Sequence, residues 1–294
     1  MKFSKLVHIS IIFLKLEWLI LYLSSINPIF TKAFPQSYQY KKNTFRKCKR
    51  DNVNFYIDIS DYMQWYLYAN IKDDSWLHVY DDGKKNTELI VIDIGANIGA
   101  FSLKLARKCL DKNQKYTIYA FEPNKVIFSL LKNNLSINKL ISKDIFPFQI
   151  PLGDKNKKVN FLNKQKNSGG SKVLKNKKDI ELNIETVQLQ QTSLDYFVDK
   201  NQIDHVDIIK IDVEGYEPIV LDGCIKTIKK FKPLLYIEIT PLWFKNIGRS
   251  SVELLNLLKT MGYEIFLDDN NILKPINDYE KISHKEQFNI LAKY

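Results

Sequence analysis

A chain of 294 residues with 45% apolar and 13% aromatic content holds one large α/β domain or two small ones around a sizeable core, not a disordered segment. Three widely spaced cysteines, Cys48, Cys109 and Cys224, give neither a disulfide framework nor a CxxC metal site and favour a reducing compartment. The net charge of +11 sits in two places: residues 41–50 hold six basic residues and residues 155–178 hold nine lysines, neither with an acid, and the remainder has 29 basic against 33 acidic residues.

The plain reading of both basic stretches is a flexible, solvated segment. The sharper one is a surface for anionic lipid, polyanionic glycan or nucleic acid. Neither stretch interleaves aromatics as a nucleic-acid platform does, so no specific nucleic acid is expected.

Residues 1–34 are strongly apolar, interrupted by Lys15 and Glu17. The uncharged piece Trp18–Thr31 is shorter than the roughly 20 residues a spanning helix needs. Residues 1–45 therefore read as an extension whose helix packs on the domain or a partner. A peripheral membrane contact is the second choice, helped by the basic cluster that follows, and a transmembrane span is the third. The expected location is cytoplasmic. Residues 51–87 predict a short strand, a helix around Tyr62–Ala69 and a lead-in loop closed by Asp82-Gly83 that partly covers a ligand site.

From Leu89 strands and helices alternate, which predicts a mainly parallel sheet in a domain spanning 46–294. Strand one is Leu89–Ile94, followed by a helix with Ile98, Phe101, Leu105 and Cys109 near one face. Strand two is Tyr116–Phe121, and its helix carries Val126, Leu130, Leu131 and Leu135. Strand three lies near Ile145–Ile150. A lysine-rich insertion, 155–190, contains a β pair at Val159–Leu162 and Ile184–Leu189 around a loop with Ser168-Gly169-Gly170-Ser171. Thr192 is the expected cap of a short helix through Leu194 and Phe197. Strand four is Val206–Ile211, followed by a helix over Glu217–Lys229. Strand five is Pro233–Ile239, and a helix over Val252–Met261 with strands near Tyr263–Leu267 and Phe288–Ala292 completes the sheet.

Carboxylates lie at or just past the ends of strands one, two, four and five: Asp93, Glu122, Asp212 with Glu214, and Glu238. That edge of an open α/β sheet carries the ligand site. After strand one comes Gly95-Ala96-Asn97-Ile98-Gly99. Its glycines allow close approach of backbone to ligand, with the amides of the helix start facing it. The order is not G-x-G-x-x-G, which counts against a pyrophosphate-binding dinucleotide site and suits a nucleoside without phosphates. Glu122 can accept hydrogen bonds from both hydroxyls of a ribose; the alternative is an acid at a helix N-terminus.

VIDIGANIGAF, YAFEPN, LLKNNLSIN, NSGGS, IIKIDVEGYEPIVLDG and LLYIEI, in that order, resemble the FkbM-type methyltransferases over roughly residues 52–294. The resemblance implies a Rossmann-like class I methyltransferase fold with a seven-stranded, mostly parallel sheet whose last strand is antiparallel. It implies S-adenosylmethionine as cofactor, its methionine part on the Asp93–Gly99 loop, its ribose on Glu122 and its adenine flanked by Gly153 and Asp154. The implied reaction is O-methylation of a sugar, glycan or secondary metabolite.

Methyl transfer needs an aligned acceptor and a group to take its proton. Strand periodicity puts Ile208, Lys210 and Asp212 on one face, so Asp212 and Glu214 are the candidate catalytic residues. Lys210 with Asp212 as an ion pair, and Glu214 as a turn residue, are the structural alternatives. Asp212, Glu214 and Glu238 could converge on a divalent ion, but no His partner or compact ligand motif accompanies them, and no metal is assigned. Two other classes stay open. One is a non-catalytic binding or membrane-associated protein on the same fold. The other is a nicotinamide-dependent oxidoreductase, disfavoured by the missing glycine motif and Tyr-x-x-x-Lys pair.

Overall fold

The computed structural model describes residues 8, 11–12, 16–27, 30, 33–70, 88–162, 172–174, 186–269 and 272–294. They form two compact units, one up to residue 70 and one from residue 88.

In the first unit, helix α1 spans Glu17–Ile26. No helix among the described residues is long and apolar enough to cross a membrane. The basic run read as a flexible segment is in part strand β1, Phe45–Arg50, antiparallel to β2, Val53–Asp58. Asp51 and Asn52 both take positive φ, the geometry of a tight two-residue hairpin. Val53, Phe55 and Ile57 alternate into the core, and Phe45 stacks on Tyr56 at 5.0 Å. Two of the arginines are structural. Arg46 Nη2 pairs with buried Glu17 of α1 at 2.8 Å. Arg50 Nε donates to the Leu67 carbonyl in helix α2, Tyr62–Tyr68. The basic composition concealed this, because charged heads with apolar stems pack well along a hairpin. The proposed lead-in loop at 71–87 lies outside the described residues.

The second unit is built on strands buried on both faces, as parallel sheets require. β3 (Leu89–Ile94) and β9 (Ile208–Ile211) are apolar, buried runs. They lie between β4 (Tyr116–Phe121) and β10 (Leu234–Ile239), all parallel, with β5 (Ile145–Phe148) beside β4. Beyond β10 come β13 (Phe288–Lys293), antiparallel to it, then β11 (Glu264–Asp269) and β12 (Ile272–Pro275). The order is β12-β11-β13-β10-β9-β3-β4-β5. The seven expected strands are there with their antiparallel last strand. The eighth, β12, extends the edge as a hairpin with β11.

Helix α3 spans Ala100–Asp111 and α4 Lys125–Ser136. The insertion is a three-stranded antiparallel sheet of β6 (Lys157–Leu162), β7 (Lys172–Leu174) and β8 (Thr186–Gln191), one strand more than the expected pair. Its Ser168–Ser171 loop lies outside the described residues. Helix α5, Leu194–Lys200, is capped by Ser193, whose hydroxyl accepts from the Tyr196 amide. Thr192 is not the cap: its hydroxyl bonds Asn156.

The helix expected over Glu217–Lys229 is two, α6 (Glu217–Asp222) and α7 (Ile225–Phe231). A Cβ on Gly223 would lie 2.0 Å from the Gly153 carbonyl. Asp195 bonds the Lys226 and Thr227 amides at the start of the second piece. Helices α8 (Pro241–Asn246), α9 (Ser251–Thr260) and α10 (Tyr279–Ile282) complete the unit.

Candidate active site

The register of the parallel strands decides which side chains meet. Ile94 of β3 pairs with Phe121 of β4 and with Ile211 of β9, and Ile211 pairs with Ile237 of β10. The next residue of each strand therefore forms a row across the sheet edge: Glu122, Gly95, Asp212, Glu238. One row deeper on the same faces, Asp93 sits beside Lys210. The acids that the sequence placed at four separate strand ends are neighbours.

Lys210 ties the middle together. Its ammonium donates to the Gly95 carbonyl at 2.8 Å, and lies 3.2 Å from Asp212 Oδ2 and 3.5 Å from Asp93 Oδ1. Burial would pull its pKa down, but Asp212 and Asp93 outweigh it and hold the group above the ordinary lysine range. The ion pair considered for Lys210 and Asp212 is therefore real. It also fixes where the Asp212 carboxylate stands. Asp93 is fully buried and accepts from the Ser102 hydroxyl at 2.6 Å. Burial raises its carboxyl, with Lys210 and Ser102 opposing. Its Oδ1 faces the Lys210 ammonium and makes no hydrogen bond among the described residues.

The glycine loop is closely fitted. Gly95 has φ +82, and a Cβ there would sit 1.8 Å from the Asp212 carbonyl. The loop amides turn inward rather than toward a ligand. Gly95 and Ala96 both donate to the Phe121 carbonyl, and Gly99 to Ala96. Ile98 donates to the Asn97 side chain at 2.8 Å. Asn97 donates to Glu122 Oε2 at 2.9 Å. Glu122 Oε1 accepts from the Asn124 amide at 2.8 Å. Burial pushes the Glu122 carboxyl up to about 7 against the pull of those two amides. What the loop presents is a buried carboxylate that retains accepting lone pairs, because each carboxylate oxygen can take two donors.

On the other side, the turn after β9 carries Asp212, Val213, Glu214 and Gly215. Glu214 is left-handed (φ +58), and Gly215 packs where a Cβ would meet Trp243 at 2.6 Å. Glu217 holds this turn: its Oε1 accepts from the Val213 amide at 2.9 Å and the Gly215 amide at 3.2 Å. One oxygen each of Asp212, Glu214 and Glu238 lies within 4.8 Å of the other two. Gln287 Nε2 donates to Glu238. Burial first, then Asp212, Glu217 and Glu214, raise the Glu238 carboxyl well above the carboxylate range.

Gly153 and Asp154 belong to a different network. A Cβ on Gly153 would meet the Gln191 amide group at 2.3 Å. Asp154 accepts from Gln191 at 3.0 Å and pairs with Lys157 at 2.7 Å. Gln191 also takes the Tyr216 hydroxyl at 3.0 Å.

Several residues of the site had no clear signal in the chain. Glu217 reads in sequence only as a helix-start acid. Ser102 and Gln191 have none. Asn134 was visible only inside the LLKNNLSIN motif. In the structure its Nδ2 donates to the Ile98 carbonyl at 3.0 Å and so holds the glycine loop.

A parallel sheet in this strand order, with its acids gathered at one edge, is the α/β architecture of class I methyltransferases. The methyltransferase FkbM domain matches residues 93–265, and the chain belongs to that family. The methyltransferase sdnD of Sordaria araneosa is 25% identical over 251 residues, 77% of this chain and 92% of that protein. The crystal structure of methyltransferase FkbM from Methylobacillus flagellatus KT overlays at a TM-score of 0.46 and 18% identity, covering 80% of this chain. The chain spans about half of that structure's length, 52%. P. horikoshii TYW2 in complex with MeSAdo overlays at 0.42 and 12% identity, covering 86% of this chain and 71% of that one.

Proposed function

We propose that the protein is an S-adenosylmethionine-dependent O-methyltransferase acting on a hydroxyl of a sugar, glycan or secondary metabolite. The observation that carries this reading is the buried pair Asp93 and Glu122 flanking Gly95, beside Asp212 and Glu214. The pair fits a nucleoside-bearing cofactor. Glu122 has lone pairs for two hydroxyl donors, Asp93 Oδ1 faces only the Lys210 ammonium at 3.5 Å among the described residues, and no side chain on Gly95 stands between them. Asp93, Gly95, Ala96, Asn97, Gly99 and Glu122 would hold the cofactor, with Gly153 and Asp154 as its further wall. When bound, the cofactor supplies a methyl group on a sulfonium.

The remaining work falls to this chain's own groups. Lys210 holds Asp212 Oδ2, which fixes the direction in which the carboxylate faces. Asp212 or Glu214 accepts the proton of an incoming hydroxyl, a contribution typically worth about 10²–10⁴ in rate. The turn that carries both is held by Glu217, so their positions are set before any ligand arrives.

Isothermal titration with S-adenosylhomocysteine, with NAD and the Glu122→Ala variant as controls, tests the cofactor. Saturable binding lost in the variant, with none for NAD, supports the reading; no binding by the wild type removes it. Asp212→Asn and Glu214→Gln test the chemistry. At least one should keep S-adenosylhomocysteine binding and lose methyl transfer, and full activity in both would sink the assignment.

A further inference from the structure

Asp212 and Glu214 come from the turn after β9 and Glu238 from the end of β10, yet their carboxylate oxygens gather within 4.8 Å. Like charges this close repel; Lys210, 3.2 Å from Asp212, offsets part of that repulsion, and a cation among the three carboxylates would offset more. A divalent cation bound at about 2.0–2.6 Å from its oxygens keeps them at most roughly 4–5 Å apart, the span found here.

A second observation comes from α6. Glu217 is buried and grips the turn that bears Asp212 and Glu214, but its Oε2 has no hydrogen-bond partner among the described residues. A buried carboxylate oxygen left unpaired on the side chain that holds the turn of Asp212 and Glu214 is costly for the protein alone. A cation among the three would offset that cost. Carboxylates without His or Cys select hard ions over zinc or copper.

We infer that Asp212, Glu214 and Glu238 form a binding site for one hard divalent cation of the Mg2+, Mn2+ or Ca2+ class. Three protein oxygens leave about three positions of a six-coordinate ion open. Those positions suit adjacent hydroxyl oxygens of a ligand. That such a ligand is the methyl acceptor rests on the reading above; the cation site itself does not.

The test is titration of the metal-free full chain with Mn2+, following the free ion by electron paramagnetic resonance, with Mg2+ and Ca2+ as competitors. S-adenosylhomocysteine binding is measured in parallel. One Mn2+ per chain is expected, displaced by the competitors. Its affinity should fall by roughly 10–100-fold or more in Asp212→Asn and Glu238→Gln, and hold in Glu264→Gln, an exposed acid on β11. Retained S-adenosylhomocysteine binding shows that a variant is folded, and Glu214→Gln replaces one that is not. A wild type that binds S-adenosylhomocysteine but no stoichiometric Mn2+ overturns the inference and leaves the methyltransferase reading intact. So does Mn2+ binding unchanged in both ligand variants. Site-dependent Mn2+ binding without S-adenosylhomocysteine binding supports the cation site and removes the other reading.

Discussion

Glu122 and Glu238 close the two ends of one row of residues and meet opposite surroundings. Glu122 receives two backbone amides, from Asn97 and Asn124. Its neighbour Asp93 receives Ser102 and leans on Lys210. Glu238 receives the Gln287 side chain and is otherwise pressed by Asp212, Glu217 and Glu214. The first end is a fixed acceptor for neutral donors, as sugar hydroxyls are. The second end gathers negative charge. Identical side chains thus suit different ligands because of the donors that the fold brings to them.

The residue joining the two ends should give the largest effect. Gly95 carries the carbonyl that Lys210 holds, and its missing Cβ leaves room for the Asp212 carbonyl. Gly95→Ala puts a methyl into backbone at a left-handed φ. It should cost at least about 3 kcal/mol in urea unfolding and abolish S-adenosylhomocysteine binding. A mild effect would mean that the two ends are not mechanically joined.

Next comes Glu122→Gln, which keeps the shape and removes the charge at one end. Trading a charged acceptor for a neutral one should weaken S-adenosylhomocysteine binding by roughly 10- to 100-fold. The pH dependence has a definite sign. Hydroxyl donors favour the ionised Glu122, whose carboxyl burial pushes up to about 7. Protons therefore compete with the ligand below that pH. Affinity in the wild type should fall by up to about tenfold per pH unit as pH drops below 7, and that slope should vanish in Glu122→Gln. Titration calorimetry between pH 5.5 and 8.5 measures it (roughly the window over which the group changes charge).

The first end was far more legible in the chain than the second. β3 is an apolar run with both faces covered, and β4 alternates buried and half-buried residues up to Phe121, so their ends, and with them Asp93 and Glu122, could be located from residues alone. The direction of the loop amides could not. Gly95 and Ala96 give theirs to Phe121, a partner set by strand register, not by local spacing. At the second end, Asp212 and Glu238 belong to separate strands, and their approach depends on β9 and β10 being adjacent. The break at Gly223 was hidden because the atom that forbids a side chain there, the Gly153 carbonyl, lies far away in sequence. β1 was hidden by its own charges, whose partners Glu17 and Leu67 lie on other elements.

The smallest effects separate the two ends most cleanly when one buried polar group of each is compared across pH. Asn134→Ala leaves the Ile98 carbonyl at the first end without its donor and should destabilise by about 1–3 kcal/mol, equally at pH 5 and pH 8. Glu217→Gln acts at the second end. Burial pushes that carboxyl up to about 7, with the Val213 and Gly215 amides opposing. A carboxyl raised on folding favours the folded state at pH values below its unfolded pKa, and that stability is lost as pH rises through the folded value. The amide does not titrate, and its carbonyl can still accept from Val213 and Gly215. With chelator present, the variant's melting temperature relative to the wild type should therefore increase from pH 5 to pH 8. A shift equal at both pH values would show that Glu217 carries no charge strain, and would erase the contrast between the two ends.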